Sequence, residues 1–178
     1  MLEKKKALRK IIKVRVSAIS PDERRKREEI LHNNLFSMPE FVGASSVMLF
    51  ANLPDEIDTF SLIDRCFAMG KKVFLPVITG DDMTIAEFTG EYKTGRYGIK
   101  EPSLASELSL TPNSIDFALI PGVGFSPSGY RLGRGKGFYD KFLSKHPLYT
   151  VGVCFREQFF LDIPFEPHDV PMNKVLVV

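Results

Sequence analysis

The sequence predicts an α/β fold: a single domain over residues 1–178, a three-layer open sheet, mainly parallel, with helices on both faces. Three observations carry that prediction. The apolar runs at 47–51, 117–120 and 150–155 are continuous rather than alternating, as strands buried on both faces require. Segments of helical periodicity stand between these strand-like segments, the order that builds a parallel sheet. A chain of 178 residues is long enough for one compact core and short for two.

The elements follow in order. Residues 3–19 read as a helix whose apolar face is Leu8, Ile11, Ile12, Val16 and Ile19. Ser20-Pro21-Asp22-Glu23 starts a second helix, with Ser20 as N-cap, Pro21 in the first turn and Glu23 completing a capping box. That helix runs to about Phe36 with Ile30, Leu31 and Leu35 inward. Strand 47–51 is broken by Asn52-Leu53-Pro54-Asp55. Asp58 or Thr59 caps a helix through Met69, which Gly70 ends. Strands are expected at 73–77 and 84–88, the second half-buried, and mostly loop at 89–114. Strand 117–120 ends at Pro121-Gly122, a glycine-rich loop follows, and a helix spans about 137–143. Strands at 150–155 and 175–178 close the chain. Ligands in such sheets sit beyond the carboxyl ends of strands, so the loops after Ala51, Val77 and Ile120 are the places to look.

Composition excludes several classes. At 44% hydrophobic and 26% charged the chain is ordinary globular material. No apolar run approaches the roughly 20 residues a membrane helix needs. The basic start MLEKKKALRKIIKVRV lacks the uninterrupted apolar core of a secretory signal. Two cysteines, Cys66 and Cys154, make no disulfide framework and read as buried thiols, which points to the cytoplasm. Net charge is only +2, with the basic surplus in the first helices and in the 131–141 loop.

That loop, RLGRGKGFYDKF, carries the chemistry. Glycines at 133, 135 and 137 let backbone amides approach an anion without Cβ interference. Leading into a helix, the loop also aims free N–H groups and the positive end of the dipole at that anion. Arg131, Arg134 and Lys136 add charge, and arginine grips phosphate oxygens bidentately. The pattern is neither a Walker loop nor a dinucleotide fingerprint. Two readings fit: a solvated surface turn, or a phosphate cradle, which its place between strand and helix favours. Asp140, on the first turn of the helix, is a partner for the helix dipole or a magnesium ligand beside a phosphate. Lys5 and Arg9, four apart, share one helix face, solvated or ligand-facing. His146 and His168 lack metal-ligand spacing.

Val123-Gly124-Phe125 followed by Gly129-Tyr130-Arg131-Leu132-Gly133-Arg134-Gly135-Lys136-Gly137-Phe138-Tyr139-Asp140 closely resembles the signature of 5-formyltetrahydrofolate cyclo-ligases, also called methenyltetrahydrofolate synthetases. The likeness spans nearly the whole chain: Lys5 and Arg9 near the start, Asp55-Glu56-Ile57-Asp58-Thr59, Gly98-Ile99-Lys100-Glu101-Pro102, and Asp169 in Pro167-His168-Asp169. The resemblance implies closure of 5-formyltetrahydrofolate to 5,10-methenyltetrahydrofolate, using ATP and Mg2+, through a phosphorylated formyl group.

By the same resemblance, ATP is held by Lys5, Arg9, Arg131, Leu132, Gly133, Arg134, Gly135, Lys136, Gly137, Phe138 and Tyr139. Arg134, Lys136 and Tyr139 are the expected catalytic residues. The folate, polyglutamylated or not, is contacted by Ala51, Leu53, Glu56, Arg134 and Phe138, and magnesium by Asp140 and Asp169. A cytoplasmic monomer is expected, without nucleic-acid or membrane partners. Departures from the pattern are small: Phe138 for a frequent Tyr, Ser126 for an acid, Lys141 for Arg and Asn173 for an acid. Two rival readings remain. One is another phosphate-ligand enzyme, such as a sugar-phosphate isomerase, since fold does not fix chemistry. The other is an RNA-binding protein, opposed by a pI near 8.5 and the lack of an RNA-module signature.

Overall fold

The computed structural model of the chain describes residues 1–95, 98–103 and 115–178. Six strands form one sheet in the order β10-β9-β6-β1-β2-β3: β1 (Ser46–Met48), β2 (Lys72–Thr79), β3 (Asp82–Glu87), β6 (Phe117–Ile120), β9 (Thr150–Cys154) and β10 (Lys174–Val177). Every pair is parallel except the β2–β3 hairpin, which adds an antiparallel edge.

Continuous apolar strands have two faces to bury, and alternation divides them. Val47, Val73, Leu75, Phe117, Leu119, Val151 and Val153 join the core under α1 (Leu2–Ser17), α2 (Pro21–Phe36), α3 (Pro39–Val42) and α4 (Phe60–Ala68). Met48, Phe74, Ala118, Ile120 and Cys154 pack on the opposite side, where α5 (Phe138–Lys145) contributes Phe142 and Leu143. The predicted three-layer, mainly parallel arrangement is the one found. Among the described residues no helix is long and apolar enough to cross a membrane.

Helix faces are narrower than the sequence suggested. Ile12 and Val16 of α1 are buried, Leu8 and Ile19 only partly, and Ile11 is 48% exposed. Leu31 and Leu35 of α2 are fully buried while Ile30 is 52% exposed. Adjacent helical residues point about 100° apart, and in α1 and α2 the packed face takes Ile12 and Leu31 while Ile11 and Ile30 turn to solvent. Ser20 accepts the Glu23 amide at 3.3 Å as a cap should. The Glu23 carboxylate, however, is engaged by Arg27 at 2.7 Å instead of closing a capping box. Thr59 occupies the N-cap position of α4, but the Asp58 carboxylate accepts the Phe60 amide and the Ser61 hydroxyl.

Within 89–114, expected to be mostly loop, Tyr92–Thr94 (β4) and Lys100–Pro102 (β5) form an antiparallel pair, and 96–97 and 104–114 fall outside the described residues. A second small pair, Gly124–Phe125 (β7) with Arg131–Leu132 (β8), closes residues 126–130 into a turn and anchors the start of the glycine-rich loop. The sequence also missed α3, whose last carbonyls are collected by the Lys71 ammonium, including those of Phe41 and Val42.

Gly152 lies in the middle of β9, opposite the fully buried ring of Phe125, and a Cβ there would overlap that ring. Gly152→Ala is therefore expected to cost about 1–3 kcal/mol of stability by overpacking. Urea unfolding checks it, and an unchanged midpoint would contradict the packing described.

Candidate active site

The chain leaves β1 toward β2 and later leaves β6 toward β9, on opposite sides, so the carboxyl ends of β1 and β6 flank a crevice. A cleft of about 480 Å3 opens there. The turn after β1 and the loop after β6 bound it, as anticipated. The third loop does not: β2 continues to Thr79 and turns directly into β3, so Pro76, Ile78 and Met83 line the cleft from within the strands.

Helix α1 supplies two cations because of its register. Positions 5, 9, 12 and 16 form one stripe, with Ile12 and Val16 in the core and Lys5 and Arg9 beyond the sheet, over the cleft. Lys5 Nζ lies 3.0 Å from Asp169 Oδ2 and 3.5 Å from Glu166 Oε2. Arg9 Nε donates to the carbonyl of Gly133 at 2.8 Å, tying the helix to the glycine-rich loop.

The turn after β1 is held from several directions. Thr59, fully buried, donates its hydroxyl to the carbonyl of Phe50, and its amide donates to Asn52 Oδ1 at 2.9 Å. Glu56 Oε2 accepts the Leu53 amide at 2.9 Å, which fixes the carboxylate over its own turn. Arg24 Nη1 donates to the Pro54 carbonyl at 2.8 Å from helix α2. Ala51, Leu53 and Glu56 thereby face the cleft.

In the glycine-rich loop, Gly135 and Gly137 have φ of 101° and 69°, values that a side chain strains against. Gly137 caps α5 in that left-handed conformation. Residues 133–137 line the cleft, and among the described residues Lys136 makes no ion pair. Arg131 is buried on β8. Its Nη2 meets Asp140 Oδ2 at 2.8 Å, its Nη1 is buried without a partner, and its guanidinium sits 5.5 Å from the Tyr139 ring. Burial, and next the Glu56 charge, push the Tyr139 phenol up, so it keeps its proton at neutral pH. Arg134 crosses to the turn after β1 and meets Glu56 at 2.9 Å and Asp55 at 2.7 Å. Burial would lower its guanidinium, but the two carboxylates outweigh that and raise it.

Asp140 Oδ1 accepts the Val170 amide at 3.2 Å, which draws the segment carrying Asp169 against α5. Both carboxylates line the cleft. Among the described residues no three acidic, histidine or cysteine side chains cluster closely enough to hold a metal by themselves. Two carboxylates fit a hard cation that takes its remaining oxygens from a phosphate, the usual habit of Mg2+.

All expected residues, namely Lys5, Arg9, Ala51, Leu53, Glu56, 131–139, Asp140 and Asp169, line this one cleft. Sequence reading missed the apolar wall of Pro76, Ile78 and Met83, and the rim residues Glu166 and His168. The available signal for the wall was the two-residue spacing of Pro76 and Ile78, which puts them on one face of β2, and the alternation of β3. Of the departures from the family pattern, Ser126 bonds Ser128 at 2.9 Å, Asn173 Oδ1 accepts the Thr150 amide at 2.8 Å, and Lys141 reaches the Asp81 carbonyl; only Phe138 lines the cleft.

The family model of the 5-formyltetrahydrofolate cyclo-ligase family matches residues 1–178. The chain is 29% identical to the mouse 5-formyltetrahydrofolate cyclo-ligase over 97% of its length and 92% of that protein's. It is 29% identical to the Escherichia coli 5-formyltetrahydrofolate cyclo-ligase, covering 93% and 96%. The solved structure of Aquifex aeolicus 5,10-methenyltetrahydrofolate synthetase superposes with TM-score 0.86 at 31% identity, covering 97% of this chain and 89% of that one.

Burial alone would raise the Asp169 carboxyl, but the Glu166 amide and the Lys5 ammonium hold it below its ordinary value. A carboxyl depressed in the folded state stabilises above its unfolded pKa, near 4, and that contribution disappears as pH falls through the folded value. Asp169→Asn is thus expected to lower stability at neutral pH and to flatten the loss below about pH 4. Urea midpoints from pH 7 to 3 check this, and parallel curves for the two proteins would contradict it.

Proposed function

The chain belongs to the 5-formyltetrahydrofolate cyclo-ligase family, and we propose that it acts, as a cytoplasmic monomer with residues 1–178 as one catalytic domain, to close 5-formyltetrahydrofolate to 5,10-methenyltetrahydrofolate at the expense of ATP. The observation that carries this reading is a single cleft lined by both a basic glycine-rich loop and an apolar wall, with Arg134 tying the loop to the turn after β1 through Glu56.

Lys5, Arg9, Arg131 and Lys136, with the amides of 133–137, bind the triphosphate. Ala51, Leu53 and Phe138 flank the folate ring system, and Glu56 accepts its N–H donors. The formyl oxygen attacks the γ-phosphorus and the bond to the bridging oxygen breaks, releasing ADP. The neighbouring amine nitrogen then attacks the activated formyl carbon and loses its proton. The carbon–oxygen bond breaks, phosphate leaves with the former formyl oxygen, and the methenyl bridge is complete.

Phosphoryl transfer depends on positioning and charge neutralisation. Arg134 and Lys136 meet the charge on the transferred group, and Tyr139, protonated at neutral pH, donates a hydrogen bond to it. Asp140 and Asp169 would hold Mg2+, which when bound supplies further neutralisation of the phosphate oxygens. The apolar wall keeps water from the activated carbon.

Mixing the protein with 5-formyltetrahydrofolate and MgATP tests the reading. A near-ultraviolet band of the conjugated methenyl product, dependent on ATP and on Mg2+, is expected, and its absence would overturn the reading. Lys136→Ala is expected to raise the KM for ATP about tenfold or more, the worth of one charge-assisted contact, with the folate KM little changed. Normal turnover at limiting ATP would contradict the assignment. Asp140→Asn is expected to raise the half-saturating Mg2+ concentration, and an unchanged magnesium titration would leave Asp140 a partner of Arg131 and the helix dipole only.

A further inference from the structure

Asp55 does not line the cleft and has no part in the reaction above, yet it is the shortest contact of Arg134. Nη2 of Arg134 donates to Asp55 Oδ1 at 2.7 Å and to Glu56 Oε1 at 2.9 Å, and Nε donates to the same Glu56 oxygen at 3.2 Å. Nη2 carries two hydrogens, and both are committed. A guanidinium grips a phosphate by one of two edges, Nε with Nη2 or Nη1 with Nη2. With Nη2 spent, neither edge has its full pair of donors. Arg134 therefore cannot hold a phosphate bidentately until a carboxylate lets go.

The two carboxylates differ in how firmly they are placed. The Glu56 side chain is 12% exposed, and its second oxygen is anchored by the Leu53 amide. The Asp55 side chain is half exposed, and exposed pairs are weak and readily exchanged.

We infer that Asp55 and Glu56 form a latch on Arg134 that couples phosphate binding to folate binding, with Asp55 as the positioning residue. The inference rests on the proposed function, in which Glu56 accepts hydrogen bonds from the folate ring. Ring N–H donors that take over Glu56 Oε1 release the Nε–Nη2 edge of Arg134. Asp55 keeps the released guanidinium beside the cleft until the triphosphate takes it. Linkage then requires that each ligand raise the affinity for the other by the same factor.

Calorimetric titration of the protein with the β,γ-imido analogue of ATP and Mg2+, with and without saturating 5-formyltetrahydrofolate, tests the latch. In the wild type the folate is expected to lower the Kd of the analogue at least about fivefold. Asp55→Asn is expected to tighten analogue binding in the absence of folate and to reduce the ratio of the two Kd values by half or more. Loss of a nearby negative charge would by itself favour the analogue equally in both conditions and leave that ratio unchanged, so the ratio decides. Equal Kd values with and without folate in the wild type, or an undiminished ratio in Asp55→Asn, would overturn the latch and leave the proposed function standing. An analogue that fails to bind the wild type under either condition would overturn the phosphate reading of the cleft, and the latch with it.

Discussion

Two parallel strands that send the chain in opposite directions create the site. Neighbours β1 and β6 share a ladder, but the connection from β1 leads through α4 to β2 and the connection from β6 leads through α5 to β9. Connections that diverge cannot cover the ground between them, and the carboxyl ends of the two strands stay open. Everything with chemical content hangs from that gap. The turn carrying Glu56 leaves one strand, the loop carrying Arg131, Arg134 and Lys136 leaves the other, and α1 lies close enough to bring Lys5 and Arg9 over the top.

A cleft so rich in charge must balance it, because a buried charge without a partner is costly. Lys5 pairs with Asp169, Arg131 with Asp140 and Arg134 with Glu56. Two of these pairs join segments distant in sequence, α1 to the 166–169 segment and the loop to the turn after β1, and the third ties β8 to α5, so the ion pairs also set the geometry. In the proposed reaction the cations meet phosphate and the acids meet metal or folate, so the pairs are exchanged rather than broken. An oriented, pre-charged site of this kind needs little reorganisation when the transferred group gains charge.

Much of this was legible in the sequence, and the rest was hidden for physical reasons. The runs at 47–51, 117–120 and 150–155 announced strands covered on both faces, and Ser20-Pro21 announced the start of α2. Glycines alternating with cations before a helix singled out the loop that lines the cleft, and Gly137 does adopt the left-handed conformation that favours glycine. What stayed hidden depends on tertiary partners. Nothing local distinguishes Ile11 from Ile12 or Ile30 from Leu31; the sheet they pack on decides. Strands of two or three residues, such as β4, β5, β7 and β8, are too short to show a period. The apolar wall was missed because Pro76, Ile78 and Met83 belong to strands, whereas the search was directed to loops. The partnership of Asp55 with Arg134 spans 79 positions, and no spacing rule reaches that far.

The central claim is that the γ-phosphate and the formyl oxygen meet in this one cleft. Following 18O placed in the formyl group of 5-formyltetrahydrofolate through a single turnover with MgATP tests it directly. Transfer of the label to the released inorganic phosphate, one atom per molecule, is the predicted result. Unlabelled phosphate, with the methenyl product still formed, would contradict it and require a route in which the formyl oxygen never bonds to phosphorus.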